Sequence, residues 1–274
     1  MGQIALGIGT SHSPGQTGWI DAPPLKQVEN CYDAWFKIRD AVKSIKPDLI
    51  VEFSNGHYSN FQAHNMPAMY IGIGPSDIGP SDGAMSKIPV GEVPGHPDFA
   101  LSLVEQAYEA GFDPAWSGDL KLDHGVMIPY HTFNLEHNIP LVPILVNAMI
   151  DPIPTPARML QFGQFLRKFI VSRPKNERVV IIGAGGLAHD VGTARSGWID
   201  EAFDHEFIEH LEKDRAESIS GYNSARFAKS GNGAQETLAW IGAMGAMGGQ
   251  KFKTLAYEPV VEWITGTGIG VWEQ

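Results

Sequence analysis

Short apolar runs alternate along this chain with longer stretches in which apolar residues recur every three or four positions. Residues 3–9 are a compact apolar run that ends at the polar segment Thr10-Ser11-His12-Ser13-Pro14, and they read as a buried strand followed by a loop. Over residues 26–45, Val28, Cys31, Trp35, Ile38, Val42 and Ile45 line one face of a helix, which Lys46-Pro47 stops. Residues 48–54 predict a second strand running into Asn55-Gly56-His57, and 67–74 a third. The stretch 75–97 is rich in glycine and proline with little periodicity, the pattern of an active-site wall or of a solvated surface loop. Helices are expected at 98–110 and 156–171, with a strand at 139–147 between them. The strand expected at 177–183 opens into Ala184-Gly185-Gly186-Leu187-Ala188-His189. Helical segments at 201–219 and 233–247 follow, and the tail 255–274 mixes apolar residues with glycine and should pair with the core. The alternation predicts one α/β domain over 1–274 with a largely parallel central sheet flanked by helices. Ligands of such folds gather beyond the carboxyl ends of the strands, the expected place for an active site, and His12, His57 and His189 all lie there.

Composition narrows the partners. With 274 residues the chain can bury a real core, and a net charge of −11 argues against nucleic acid and against an anionic membrane surface. No apolar run approaches the about 20 residues needed to cross a bilayer. The first residues lack the basic and small-residue features of a signal peptide, and Leu6 stands where a myristoylation motif needs Ser or Thr. The single cysteine, Cys31, falls in a helical pattern and has no intramolecular partner, as expected in a reducing compartment. The expectation is a soluble cytoplasmic protein.

The histidines suggest metal chemistry. Two neutral imidazoles and one carboxylate on one face of a metal leave positions open for substrate and oxygen, and each ligand can come from its own loop. Gly56 and Gly185-Gly186 would let backbone approach a ligand closely. A dinucleotide or phosphate loop at Gly183-Ala184-Gly185-Gly186 is disfavoured, because position 188 is Ala and no Gly-Lys-Ser/Thr follows. Ser11 and Ser13 flank His12, but there is no Gly-x-Ser-x-Gly elbow. Glu236, with Trp240 one turn later, reads either as a functional carboxylate or as an exposed first-turn acid favoured by the helix dipole. His205 and His210 fall on a charged helix and read as solvated, whereas His131, seven residues after His124, is a candidate for the same cavity. His64, His96 and His137 have no evident partner.

Taken together and in order, Gly9-Thr10-Ser11-His12-Ser13-Pro14, Asn55-Gly56-His57, Leu122-Asp123-His124-Gly125, Gly185-Gly186-Leu187-Ala188-His189-Asp190 and Ala234-Gln235-Glu236-Thr237-Leu238-Ala239-Trp240 resemble the motifs of the class III extradiol ring-cleavage dioxygenases. These are relatives of the catalytic β subunit of protocatechuate 4,5-dioxygenase. The tail over 257–266 is similar to the C-terminal segment of members of the 2,3-dihydroxyphenylpropionate type. The resemblance implies Fe(II) held by His12, His57 and Glu236, with His189 as base and acid and His124 as a second proton-handling group. Glu258 and Glu262 are the competing carboxylates. It further implies O2 as co-substrate and a small vicinal diol (a catechol, a protocatechuate-like acid, an aminophenol or a dihydroxypyridine) opened to a semialdehyde-type product. No small helical subunit is fused to the chain, so a homo-oligomer or a separate small subunit is expected. The absence of Arg near the motifs weighs against a highly anionic substrate. Two rivals stand beside this reading. One is a zinc hydrolase or isomerase using His12, His57 and His189. The other is a non-catalytic binding module, against which the retention of every candidate ligand and proton carrier argues.

Overall fold

Apolar residues at successive positions of the central strands belong to two different cores, one on either side of a sheet. In the computed structural model, which describes Met1–Glu273, Val179 and Ile181 pack with Val51, Phe53 and Ile144, whereas Val180 and Ile182 pack with Ile8 and Ile50. Neighbouring strand residues face opposite sides, so strands apolar at every position must be covered twice.

The strands are β1 (Gln3–Thr10), β2 (Leu49–Asn55), β3 (Met69–Gly72), β4 (Ser76–Gly79), β5 (Gly91–Pro94), β6 (Ala115–Ser117), β7 (Leu141–Val146), β8 (Arg178–Ala184), β9 (Phe252–Val260) and β10 (Thr265–Trp272). The main sheet runs β6-β3-β7-β2-β8-β1-β10-β9. Its centre, β7-β2-β8-β1, is parallel. β10 and β9 add an antiparallel hairpin at one edge, and β3 joins β7 antiparallel at the other. The expected α/β class with a mostly parallel sheet is therefore what forms.

The Leu25–Ile45 helix carries the chain from β1 to β2, skipping over β8, and buries Cys31, Ala34, Trp35, Ile38 and Val42. The Pro156–Ser172 helix carries it from β7 to β8, skipping over β2. It packs with the Pro97–Glu109, Glu201–Glu212 and Thr237–Met247 helices on the opposite face. Crossovers between parallel strands bring the loops that leave β1, β2 and β8 to the same rim. Among the described residues no helix is long and apolar enough to cross a membrane.

Several elements differ from the sequence pattern. The stretch 75–97 is not irregular throughout, since β4 and β5 form a small separate hairpin around a short Gly83–Ser86 helix. The helix expected over 201–219 divides into Glu201–Glu212 and Ala216–Ser220, with Asp214 at φ +49 between them. The segment expected as a helix from 233 starts with a 3-10 turn, Ala234–Glu236, ahead of Thr237–Met247. His124 falls where the sequence pattern predicts no regular element. It is the first residue of a His124–Phe133 helix, capped by the Asp123 side chain, which accepts from Gly125 N. Gly125 and the internal Pro129 mask that helix in the sequence.

Candidate active site

β2, β8 and β1 are neighbours in the sheet, and the loops after them deliver His57, His189 and His12 to one place. Glu236 arrives from the 3-10 turn before the Thr237–Met247 helix. The expectation of a possible exposed first-turn acid is overturned: Glu236 is 4% exposed. His12 Nε2 lies 3.0 Å from Glu236 Oε2, and His57 Nε2 lies 3.6 Å from Glu236 Oε1. Ligand atoms of His12, His57 and Glu236 fall within 4.8 Å of one another. Neither ring nitrogen of the buried His12 has a hydrogen-bond partner, so the contact with Glu236 lacks hydrogen-bond alignment. A buried donor or acceptor left in this way is costly, and a metal ion between the groups would satisfy it. The donor set of two imidazoles and a carboxylate fits Fe(II).

Backbone and second partners fix these groups. Gly186 N donates to Glu236 Oε2 at 2.7 Å, and Asn55 Nδ2 donates to Oε1 at 3.3 Å. Gly185 permits this approach, because any Cβ there would run into the backbone of Glu236. Asp123 stands 3.4 Å from His57 Nδ1 and accepts from the His57 backbone N, Ser59 Oγ and Gly125 N at 2.6, 2.8 and 3.0 Å. A carboxylate behind an imidazole fixes its orientation, and His57 Nε2, turned to the site, is 3.1 Å from Asn55 Nδ2, a contact that a metal ion would replace. His57, Asp123 and His124 also gather closely, but those three donors already occupy Asp123, which makes it a support.

His189 Nδ1 is 2.8 Å from Leu187 O, to which it donates, leaving Nε2 on the site side, 3.5 Å from Glu236 Oε1. Its ring packs against Gly233, where no Cβ fits. Asp204 holds the same segment by accepting from Ala188 N at 2.7 Å and Tyr257 Oη at 2.8 Å. His124 stacks on His57 with ring centroids 4.0 Å apart, and its Nδ1 lies 2.5 Å from Asp82 Oδ2.

Burial and the neighbouring charges set each group's proton affinity. Burial would raise the Glu236 carboxyl, but the His189 and His12 rings hold it well below its ordinary value. Burial depresses His12, with Glu236 only partly opposing. For His57, burial works downward but Asp123 and then Glu236 outweigh it and push it up to about 10. Burial also works against a charged His189, and Glu236 with the Leu187 carbonyl overcomes it, so His189 is raised. Asp204 is pushed up to about 7 by burial, against the pull of Ala188 N and Tyr257. The ionised Glu236 carboxylate and the neutral His12 imidazole are in the state a metal requires of its ligands, whereas His57 would have to give up its ring proton to a bound ion.

His12, His57, His124, His189 and Glu236 all line one cavity of about 420 Å³, with Tyr58, Met149, Trp263 and Ile264 among its other walls. A larger hollow of about 600 Å³ near Arg39 and Lys43 contains none of these groups. Glu258 instead accepts from Asn30 Nδ2, and Glu262 is exposed; neither lines the cavity. His131 does not reach it either, and pairs with His137 Nε2 at 2.8 Å. His96 caps the Pro97–Glu109 helix, so it does have a partner, and His210 is half-buried beside Glu206 rather than solvated. The sequence pattern missed Asp82 and Asp204, and it marked Asn55 only as part of the His57 motif, without its contact to Glu236. Asp82 lies in the stretch read as irregular, and nothing local marks it as His124's partner.

Residues 6–271 match the family described as the catalytic LigB subunit of aromatic ring-opening dioxygenase. A Mycobacterium sp. (strain MCS) protein named 2,3-dihydroxyphenylpropionate/2,3-dihydroxicinnamic acid 1,2-dioxygenase is 27% identical, over 98% of this chain and 98% of its own. A protein of the same name from Photorhabdus laumondii is 25% identical over 94% of each. In overall shape the chain is similar to the crystal structure of the uncharacterized protein JW3007 from Escherichia coli K12, with a TM-score of 0.64 over 97% of this chain and 99% of that one. At 13% identity that likeness speaks for the fold alone.

Proposed function

The chain belongs to the LigB family of class III extradiol ring-opening dioxygenases, and we propose that it cleaves a small aromatic ring beside a vicinal diol, using Fe(II) held by His12, His57 and Glu236. The observation that carries the assignment of ligands is the convergence of those side chains around a buried His12 ring whose nitrogens make no hydrogen bond. When bound there, Fe(II) supplies a Lewis acid that eases ionisation of the diol and an open face for O2.

The protein's own groups then divide the work. Gly186 N and Asn55 Nδ2 hold the Glu236 carboxylate, and Asp123 holds the His57 ring. His189, anchored through Nδ1, takes a diol proton at Nε2 and returns it as the ring opens. His124, anchored through Nδ1 by Asp82, lines the cavity beside His57 and handles the second proton. Both atoms of O2 end in the product, a ring-opened acid with a semialdehyde or its nitrogen counterpart.

A zinc hydrolase would need His12, His57 and His189 as its ligands, yet among the described residues it is Glu236, not His189, that completes the close group. The test is anaerobic loading with Fe(II), followed by oxygen uptake with a panel of catechols and hydroxypyridines. The expected result is about one O2 consumed per ring and a product mass equal to substrate plus O2. Full activity with tightly bound zinc and no oxygen uptake would overturn the assignment. A muconate-type diacid would overturn the extradiol position of cleavage.

A further inference from the structure

Besides the histidines and Glu236, the cavity lining is largely apolar: Trp19, Met85, Met149, Val191, Trp263 and Ile264 share it with the uncharged Ser13, Tyr58, Asn232 and Thr265. Neither Arg nor Lys is among the lining residues. Arg195, in the segment after Val191, is engaged elsewhere: it lies 2.5 Å from the buried Asp190 carboxylate, with its guanidinium over Trp198. A carboxylate on a substrate would have to leave water here with no Arg or Lys side chain to receive it. An alkyl or aryl group would instead cover exposed apolar surface. At about 420 Å³ the cavity is in the range that encloses ligands larger than a bare diol ring.

Backbone geometry points to the same lining. Ile264 has φ +61, a region that β-branched residues rarely enter, and its N–H closes a turn to Val261 O at 3.0 Å. Glycine would make that turn without strain. Ile264 is only half-buried, so core packing does not account for the branched side chain. Tyr58, at φ +60, also lines the cavity. Of the six non-glycine residues at positive φ among the described residues, these two line the cavity, and backbone strain of this kind clusters at ligand sites.

We propose that the apolar lining of this cavity, Ile264 included, selects a vicinal diol bearing an uncharged apolar substituent over one bearing a carboxylate, in contrast to the substrate that the relatives' names give. This rests on the ring-opening reading. The test compares kcat/KM for 3-propylcatechol and 2,3-dihydroxyphenylpropionate, whose side chains match in length and differ in a terminal methyl or carboxylate. The propyl compound should be favoured by about 10-fold or more, the scale set by desolvating an unpaired carboxylate. Val191→Arg should move the ratio toward the propionate. Ile264→Gly should keep Tm within a few degrees yet erase most of the preference. Equal or greater kcat/KM for the propionate in the unaltered protein would overturn the proposal. So would an Ile264→Gly protein that loses stability but keeps the ratio. If neither compound nor any of the catechol and hydroxypyridine panel consumes oxygen, the ring-opening reading fails on its own. Anaerobic calorimetry then decides this proposal: tighter binding of propylcatechol supports it, and tighter binding of the propionate overturns it.

Discussion

The His124–Phe133 helix carries one histidine at each end, and the two have different fates. His124, at the amino end, meets Asp82 and stacks on His57 at the carboxyl rim of the parallel strands. His131, in the last turn, bonds only to His137, and both rings are depressed by burial with no carboxylate to oppose it. The same residue type lines the candidate site in one place and makes a local hydrogen bond in the other. What differs is the company: carboxylates behind the rings, a cavity in front, and strand ends that bring distant loops together.

If that contrast is right, substitutions should grade with distance from the rim. The largest effect belongs to the proposed ligands. His12→Ala or His57→Ala should leave the far-UV CD spectrum intact and remove iron on dialysis, as read by metal analysis. If Glu236→Gln keeps iron while Glu262→Gln loses it, the choice of carboxylate is wrong. Next comes His189→Ala, which should retain iron but lower turnover by roughly 10²–10⁴-fold, the scale for a positioned acid–base group. Gly233→Ala should fall in the same range by pushing the His189 ring aside. A His189 variant that loses iron would make it a ligand. Asp82→Asn should cost less, on the order of 10-fold in kcat, because it weakens the anchor of His124 and leaves the ring in place.

A smaller effect is expected from Asp204, whose carboxyl is raised to about 7 by burial. The groups around it are Ala188 N, Tyr257, His189 and Asp200. Because the folded value is raised, the stability that protonated Asp204 contributes is complete below about pH 4 and is lost as pH rises through about 7. Asp204→Asn should therefore match the parent's Tm at acid pH and exceed it progressively between pH 5 and 8. Parallel melting curves for the two would refute this. The smallest effect belongs to His131→Gln, which should cost about 0.5–1.5 kcal/mol of stability for a lost hydrogen bond and leave turnover unchanged. A large fall in turnover would erase the distinction between the helix's two ends.

Much of the fold could be read from local pattern. The apolar runs that became β1, β2, β7 and β8, and the Leu25–Ile45 and Pro156–Ser172 helices, follow from periodicity that needs no distant partner. So does the placement of His12, His57 and His189 just beyond strands. The sequence by itself determined which loops carry imidazoles and that they share one rim, because hydrophobic spacing sets strand ends and crossover topology sets their direction. Only the tertiary structure decided which carboxylate faces them. Glu236, Glu258 and Glu262 are alike as letters, and the close packing of Gly185 against the Glu236 turn is what buries the first and leaves the others to Asn30 and to solvent. It alone brought Asp82, 42 positions before His124 in the chain, against that ring. Contacts of that separation depend on how the whole sheet and its loops close, which no local pattern encodes.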